Sequence, residues 1–117
     1  MKPNFDIELL PEAIDFLENL EDKVREKIYY NIIKSQFVSD SKLFKKLNDF
    51  IWEFRTLYDH KAYRLFSFWD KTNDNQTLVI ATHGILKKRQ KTPPKEIEKA
   101  EEIRKQYFEN KLKEKQV

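Results

Sequence analysis

The chain has 117 residues, of which 39% are hydrophobic and 37% charged; this length indicates one domain over residues 1–117 rather than two. It contains no cysteine, which excludes disulfides, a thiolate nucleophile and a cysteine-bound zinc. No stretch approaches the roughly 18 consecutive apolar residues that a membrane span needs. The start, MKPNFDIELL, reaches acidic residues before any long apolar run, so no secretory signal peptide is expected. These features favour a cytoplasmic protein that does not bind a membrane.

The positive charge is concentrated in the last quarter of the chain. Residues 1–86 carry 12 basic and 14 acidic side chains, whereas residues 87–117 carry 11 basic and 6 acidic. Residues 87–95, here called the basic segment, hold five cations and no acid. Such a segment is typical of a protein that binds an acidic partner, either nucleic acid or protein.

The N-terminal third predicts a possible strand followed by two helices. FDIELL has the composition of a strand, and Pro11 suits the first turn of a helix. Apolar residues then recur at helical spacing, at Ala13, Phe16, Leu17 and Leu20. Asp22 begins a second helix that extends to about Phe37. Because the break between the helices is short, we expect a helical hairpin.

The middle of the chain changes to a period of two, after FVSDSKLFKKLNDF, which is expected to be a polar connector. FIWEFRTL, AYRLFSFW and TLVIATHGI follow, separated by the turn YDHK and by DKTNDNQ. This pattern predicts an antiparallel meander of three strands, to which FDIELL would add a fourth. Glu53 and Arg55 fall on one face of the first of these strands, so an ion pair between them is plausible. Gly84, the only glycine, indicates a bulge or a close backbone approach.

The C-terminal segment, residues 93–113, is predicted to be a helix, with Thr92 as its N-cap. Its apolar stripe is thin and consists of Ile97, Ala100, Ile103 and Tyr107. Such a stripe either packs on the sheet or offers a docking line to an acidic, partly disordered partner, and docking is the favoured interpretation.

Most candidate site residues have a structural alternative. The basic segment is either a solvated loop or a phosphate-binding surface, since a helix N-terminus favours an anion. Arg55 and Arg64 are strand arginines that either face solvent and pair with acids or bind phosphate. A lone His83 is more often a core residue than a catalyst, and neighbouring cations are expected to lower its pKa. The strand aromatics are expected in the core rather than in base stacking. No metal site or cofactor fingerprint is expected.

Four pieces of the sequence resemble the phage-derived HigB-like branch of the RelE/ParE toxin superfamily, the toxin halves of type II toxin–antitoxin pairs. They are WEFR, YRLF, HGILKKRQKTP and EIEKA, within residues 43–100. Two positions depart from the pattern: Ile85 stands where an aromatic is expected, and Arg89 where an uncharged polar residue is usual. The resemblance implies an α+β fold with an N-terminal helical hairpin packed on a twisted antiparallel sheet of three to four strands, plus a C-terminal helix.

The resemblance also implies an activity, the cleavage of messenger RNA in the ribosomal A site without a metal or other cofactor. Carried onto this chain, the candidate catalytic residues are Arg55, Arg64, His83, Lys87, Lys88 and Lys91. Candidate RNA-binding residues are Lys45, Lys46, Arg89, Gln90 and Thr92. The expected partners are mRNA, the ribosome and an antitoxin with a helix-turn-helix domain, through which alone the protein would reach operator DNA. A DNA gyrase poison of the ParE type and a non-catalytic nucleic-acid-binding module remain alternatives.

Overall fold

The computed structural model describes residues 2–73, 77–88 and 91–115. Strands and helices follow in the order β1 (Asp6–Leu9), α1 (Pro11–Glu18), α2 (Asp22–Phe37), β2 (Phe44–Lys46), β3 (Trp52–Tyr58), β4 (Lys61–Asp70), β5 (Leu78–Lys87) and α3 (Pro94–Lys115). The strands form one sheet in the order β1-β5-β4-β3-β2. The predicted α+β class, with a helical hairpin, a sheet and a C-terminal helix, is confirmed.

The predicted meander is formed by β3, β4 and β5, which pair antiparallel. Asp59 and His60 make the two-residue turn between β3 and β4, with φ angles of 51° and 62°. This left-handed conformation matches the twist of a tight hairpin. His60 therefore belongs to the turn, as its place in YDHK predicts.

Two strands differ from expectation. β1 pairs parallel to β5, so the sheet is mixed and not wholly antiparallel. β2 lies inside the predicted polar connector and pairs with β3, so the described residues form five strands instead of three or four. A strand of three residues, two of them lysines, is too short to show the apolar–polar alternation that predicts a strand from sequence. The ring of Phe44 holds β2 in place, because it stacks on Phe54 and Trp52 at centroid distances of 4.3 and 4.8 Å.

The two faces of the sheet are covered by different helices. On one face, α1 and α2 bury Ala13, Leu17 and Ile28 against Phe54 and Leu65. On the other face, Ala100 of α3 belongs to a core with Ile51, Phe66, Phe68 and Ile80. Towards the turn between β3 and β4, this second face carries the charged side chains of Glu53, Arg55 and Arg64 in place of apolar ones, and the candidate site lies there.

Three of the four residues in the apolar stripe of α3 belong to the protein's own core. Ala100 is fully buried, and Ile97 and Tyr107 pack on the same cluster together with Phe108. The expectation that this stripe serves as a docking line for a partner is therefore wrong. Sequence spacing identified the stripe, but only the fold shows that the sheet already occupies it.

Asp70, at the end of β4, fixes the far half of α3. Its Oδ2 accepts hydrogen bonds from the Tyr107 hydroxyl and from Lys111 Nζ, both at 2.6 Å, and its Oδ1 accepts from the backbone and hydroxyl of Thr72. Burial alone would raise the pKa of Asp70, but these hydrogen bonds outweigh it and hold the pKa far below its ordinary value. Burial and the bond to Asp70 raise the pKa of Tyr107.

We expect Asp70→Asn to reduce the free energy of unfolding by about 1.5–3 kcal/mol at pH 7. Because the pKa of Asp70 is lowered in the folded state, its contribution is present above the unfolded-state pKa of about 4 and is lost as the pH falls below it. The difference between variant and wild type should therefore shrink below about pH 4. Urea unfolding at a series of pH values measures this; a difference that does not change with pH would contradict it.

Gly84 is required because α1 passes close to β5. A Cβ placed on Gly84 would lie 2.7 Å from Cγ of Phe16 and would collide with its ring. The ladder between β4 and β5 is also irregular at this point, between Leu65 and Ser67. The expected bulge at Gly84 is confirmed, and the group that comes close to its backbone is the Phe16 ring.

We expect Gly84→Ala to cost about 1–3 kcal/mol of unfolding free energy, because the Phe16 ring must shift to admit a methyl group. Adding Phe16→Leu should recover part of this loss, so the double variant should be more stable than the two single losses predict. Urea denaturation of the three variants and the wild type measures the coupling. Additive losses would show that the Phe16 ring is not what restricts residue 84.

Candidate functional site

Glu53 of β3 lies at the centre of a charged cluster. It is only 2% exposed. Its Oε2 lies 3.6 Å from Nε of Arg55, and its Oε1 lies 3.5 Å from Nε of Arg64. Strand alternation puts Glu53 and Arg55 on one face, and the register sets Arg64 of β4 directly opposite Arg55. The two arginines therefore share one buried carboxylate.

Lys87, the last residue of β5, completes this group, here called the Glu53 cluster: Glu53, Arg55, Arg64 and Lys87. Burial lowers the pKa of Lys87, and the charges of Arg64, Arg55 and Lys45 lower it further, while Glu53 raises it. The cluster thus contains three cationic side chains and one carboxylate. A lowered pKa makes the neutral form of a lysine, the form that accepts a proton, more accessible.

The two guanidinium groups are not fully satisfied by Glu53. The Nε atoms of Arg55 and Arg64 are buried and make no hydrogen bond among the described residues, although both lie at ion-pair distance from the carboxylate. Arg64 is 7% exposed, and burial, followed by the charge of Arg55, lowers its pKa while Glu53 raises it. A second anion beside the cluster would offset this excess of positive charge.

Thr92 connects the basic segment to the same cluster. Its hydroxyl donates to Oε1 of Glu53 at 3.1 Å. The expected N-cap role is wrong by position: α3 begins at Pro94, so Pro93, not Thr92, precedes the helix. The Thr92 bond holds the segment before α3 close to the sheet.

The remaining candidates that the structure describes fall into three groups. Lys45 is the Cα partner of Glu53 and shares its face of the sheet, so it extends the cluster towards β2. Lys88 and Lys91 are exposed beside Lys87 and Thr92. Lys46 alternates to the other face and lines a groove with Trp52 and Trp69. The candidates Arg89 and Gln90 lie outside the described residues.

His83 belongs to a different environment. It is 3% exposed, stacks on Phe66 at 4.9 Å and has Nδ1 2.9 Å from the Thr82 hydroxyl. Its Nε2 lies 3.4 Å from Glu96 of α3. Burial, and then Lys99, lowers the pKa of His83, whereas Glu96 raises it. The pKa of His83 is lowered, as expected. The main cause is burial, however, and the cation that contributes is Lys99 of α3 rather than a residue of the basic segment.

Sequence reasoning did not identify Glu53 as the centre of the site. Its proximity to Arg55 was noted only as a plausible structural ion pair. The signal was available in WEFR, where an acid alternates with the aromatic residues of a strand. A buried carboxylate needs more than one partner, and the second partner, Arg64, becomes visible only through the register of β3 and β4.

No three His, Asp or Glu side chains within residues 2–73, 77–88 and 91–115 are grouped so that they would hold a metal ion. In the same residues, no helix is long and apolar enough to cross a membrane.

Comparison with known proteins identifies a family. No curated protein sequence matches the chain. The family model described as "Phage derived protein Gp49-like (DUF891)" matches residues 15–105. The match begins within α1 and ends within α3, so it includes the Glu53 cluster, the basic segment and the sheet except β1. The chain therefore belongs to the phage-derived Gp49-like family, which is tied to the toxins of toxin–antitoxin systems.

Proposed function

We propose that the protein is the toxin of a type II toxin–antitoxin pair and that it cleaves messenger RNA bound to the ribosome. Family membership supports a toxin. The observation that carries the cleavage proposal is the convergence of Arg55 and Arg64 on one buried carboxylate, with Lys87 of the adjacent strand close enough for their charges to act on it. Such a group of cations is suited to the charge that develops on a phosphate during strand scission.

The proposed reaction uses the RNA's own 2′-hydroxyl as nucleophile. Neutral Lys87 accepts the proton of that hydroxyl while its oxygen forms a bond to the adjacent phosphorus. The bond from phosphorus to the 5′ oxygen breaks, and this oxygen takes a proton from solvent or from a protonated lysine of the basic segment. The products are a 2′,3′-cyclic phosphate and a free 5′-hydroxyl.

Arg55 and Arg64 would stabilise the negative charge of the pentacoordinate phosphorane. Glu53 would act as a positioning residue, because it holds both guanidinium groups from one side. His83, enclosed between Phe66 and Glu96, is a second candidate for proton transfer. Because α3 covers His83, this helix would have to move away before His83 could contact RNA.

The proposed antitoxin would bind somewhere other than the stripe of α3, since the sheet occupies that stripe. The Glu53 cluster and the basic segment present positive charge, so an acidic segment laid across them would both bind and inhibit. The proposal implies a cytoplasmic site of action.

Induced expression of the chain without a partner should stop growth, and protein synthesis should stop before DNA synthesis. Pulse labelling with an amino acid and with thymidine, sampled together after induction, measures the order. DNA double-strand breaks with continued protein synthesis would replace the nuclease proposal with the gyrase alternative.

A further inference from the structure

We propose that a groove between α2 and β3 binds the RNA strand next to the reacting phosphate; this inference rests on the proposed function and extends it. The groove, here called the α2–β3 groove, has a volume of about 490 Å³. Five cationic side chains line it: Lys27, Lys34, Lys42, Arg55 and Arg64. Arg55 and Arg64 belong to the Glu53 cluster as well, so the groove and the cluster form one continuous surface.

The charge of the groove's three lysines, Lys27, Lys34 and Lys42, is uncompensated among the described residues, whereas Arg55 and Arg64 share Glu53. No acidic side chain within residues 2–73, 77–88 and 91–115 lines it. Lys27, Lys34 and Lys42 make no ion pair with an acid in the same part of the chain. Three unpaired lysines leading to two arginines suit a polyanion whose charges are repeated along a chain, as in RNA.

The groove also offers an aromatic ring. Tyr30 of α2 is 59% exposed, and Lys27 Nζ lies 5.1 Å from the centre of its ring. Exposed aromatic rings beside cations are the usual platform for bases of single-stranded nucleic acid. The floor is polar, because Asn31 donates to the Thr56 hydroxyl at 3.1 Å. Charge and ring together favour RNA over an acidic protein segment, whose interface core would be depleted of charge.

Two charge-matched variants test the groove. The groove variant is Lys27→Ala/Lys34→Ala/Lys42→Ala; the control, Lys105→Ala/Lys113→Ala/Lys115→Ala, removes three exposed lysines of α3. Fluorescence anisotropy of a labelled 12-nucleotide single-stranded RNA is recorded at a series of salt concentrations. For the groove variant, the slope of log K against log salt should become shallower by about 2, at roughly 0.7 for each lost phosphate contact. The control should keep the wild-type slope.

The ring is tested separately. Tyr30→Ala should weaken RNA binding by about fivefold or more, because base stacking on an aromatic ring is lost. Tyr30→Phe keeps the ring and should bind like the wild type. A loss of affinity in both variants would assign the effect to the hydroxyl and would contradict stacking.

A groove variant with the wild-type salt slope would overturn the proposal. So would a groove variant that keeps RNA binding but loses binding of a poly-glutamate peptide, since the groove would then be a protein-docking surface. A separate measurement distinguishes failure of the proposed function from failure of the groove proposal. If the proposed function is wrong, expression of the wild-type protein will leave cellular mRNA intact, whatever the groove binds.

Discussion

Replacing Arg64 with Gln should reduce the rate of mRNA cleavage by about 10²–10³-fold, the usual effect of removing one group that stabilises transition-state charge. Arg64 is the most enclosed cation of the Glu53 cluster, at 7% exposed, so its interaction with a phosphate would be little screened by water. The rate is measured by the appearance of cut message in a translation reaction supplied with the purified protein. Arg64→Lys keeps the charge but not the planar fork, and we expect an intermediate rate.

The control for this variant is Arg104→Gln. Arg104 is a half-buried arginine on α3, where its guanidinium lies over the ring of Phe50, 4.1 Å from the centroid. It should retain the wild-type rate. Arg64→Gln leaves Glu53 paired with Arg55, so we expect it to remain folded, with a loss of about 1–3 kcal/mol in unfolding free energy. A folded Arg64→Gln variant with the wild-type rate would remove Arg64 from the chemistry.

Glu53→Gln should have the largest effect on stability, a loss of about 3–5 kcal/mol in unfolding free energy, because two guanidinium groups lose their shared buried counter-charge. It should also change the pH dependence of cleavage. Glu53 raises the pKa of Lys87, so its neutralisation lowers that pKa further. If neutral Lys87 is the proton acceptor, the rising limb of the pH–rate profile should move to lower pH.

The matched control is Glu102→Gln, an exposed acid on α3. It removes the same charge, and both the stability and the pH profile should stay unchanged. A rising limb that stays in place in Glu53→Gln, with the protein folded, would show that Lys87 is not the group that titrates. The stability loss would then report only a structural role for Glu53.

Much of the fold follows from the periodicity of the sequence. The changes from helical to strand spacing located α1, α2 and the meander, and the alternation in WEFR put Glu53 and Arg55 on one face. What alternation cannot supply is register. That Arg64 stands opposite Arg55 depends on the two-residue turn at Asp59 and His60.

Other parts of the structure depend on tertiary contacts that leave little trace in local sequence. β2 is held by the rings that Phe44 meets across the sheet. The stripe of α3 was visible, but its occupation by Phe68 and its neighbours was not. His83 is buried, as is usual for a lone histidine, and its ring stacks on Phe66. The two misjudged features, β2 and the stripe of α3, share one cause: each is decided by what packs on top of it.

The role of the Glu53 cluster in cleavage is tested most directly by mapping RNA 5′ ends in cells that express either the wild-type chain or Lys87→Met. Lys87 makes no ion pair among the described residues and is only partly buried, so this variant should fold normally. The wild type should produce 5′-hydroxyl ends inside translated reading frames. Lys87→Met should reduce these ends by about 10²–10⁴-fold, the usual contribution of a positioned proton acceptor. Equal cleavage by the two proteins, or intact mRNA in cells whose DNA is broken by the wild type, would contradict the assignment.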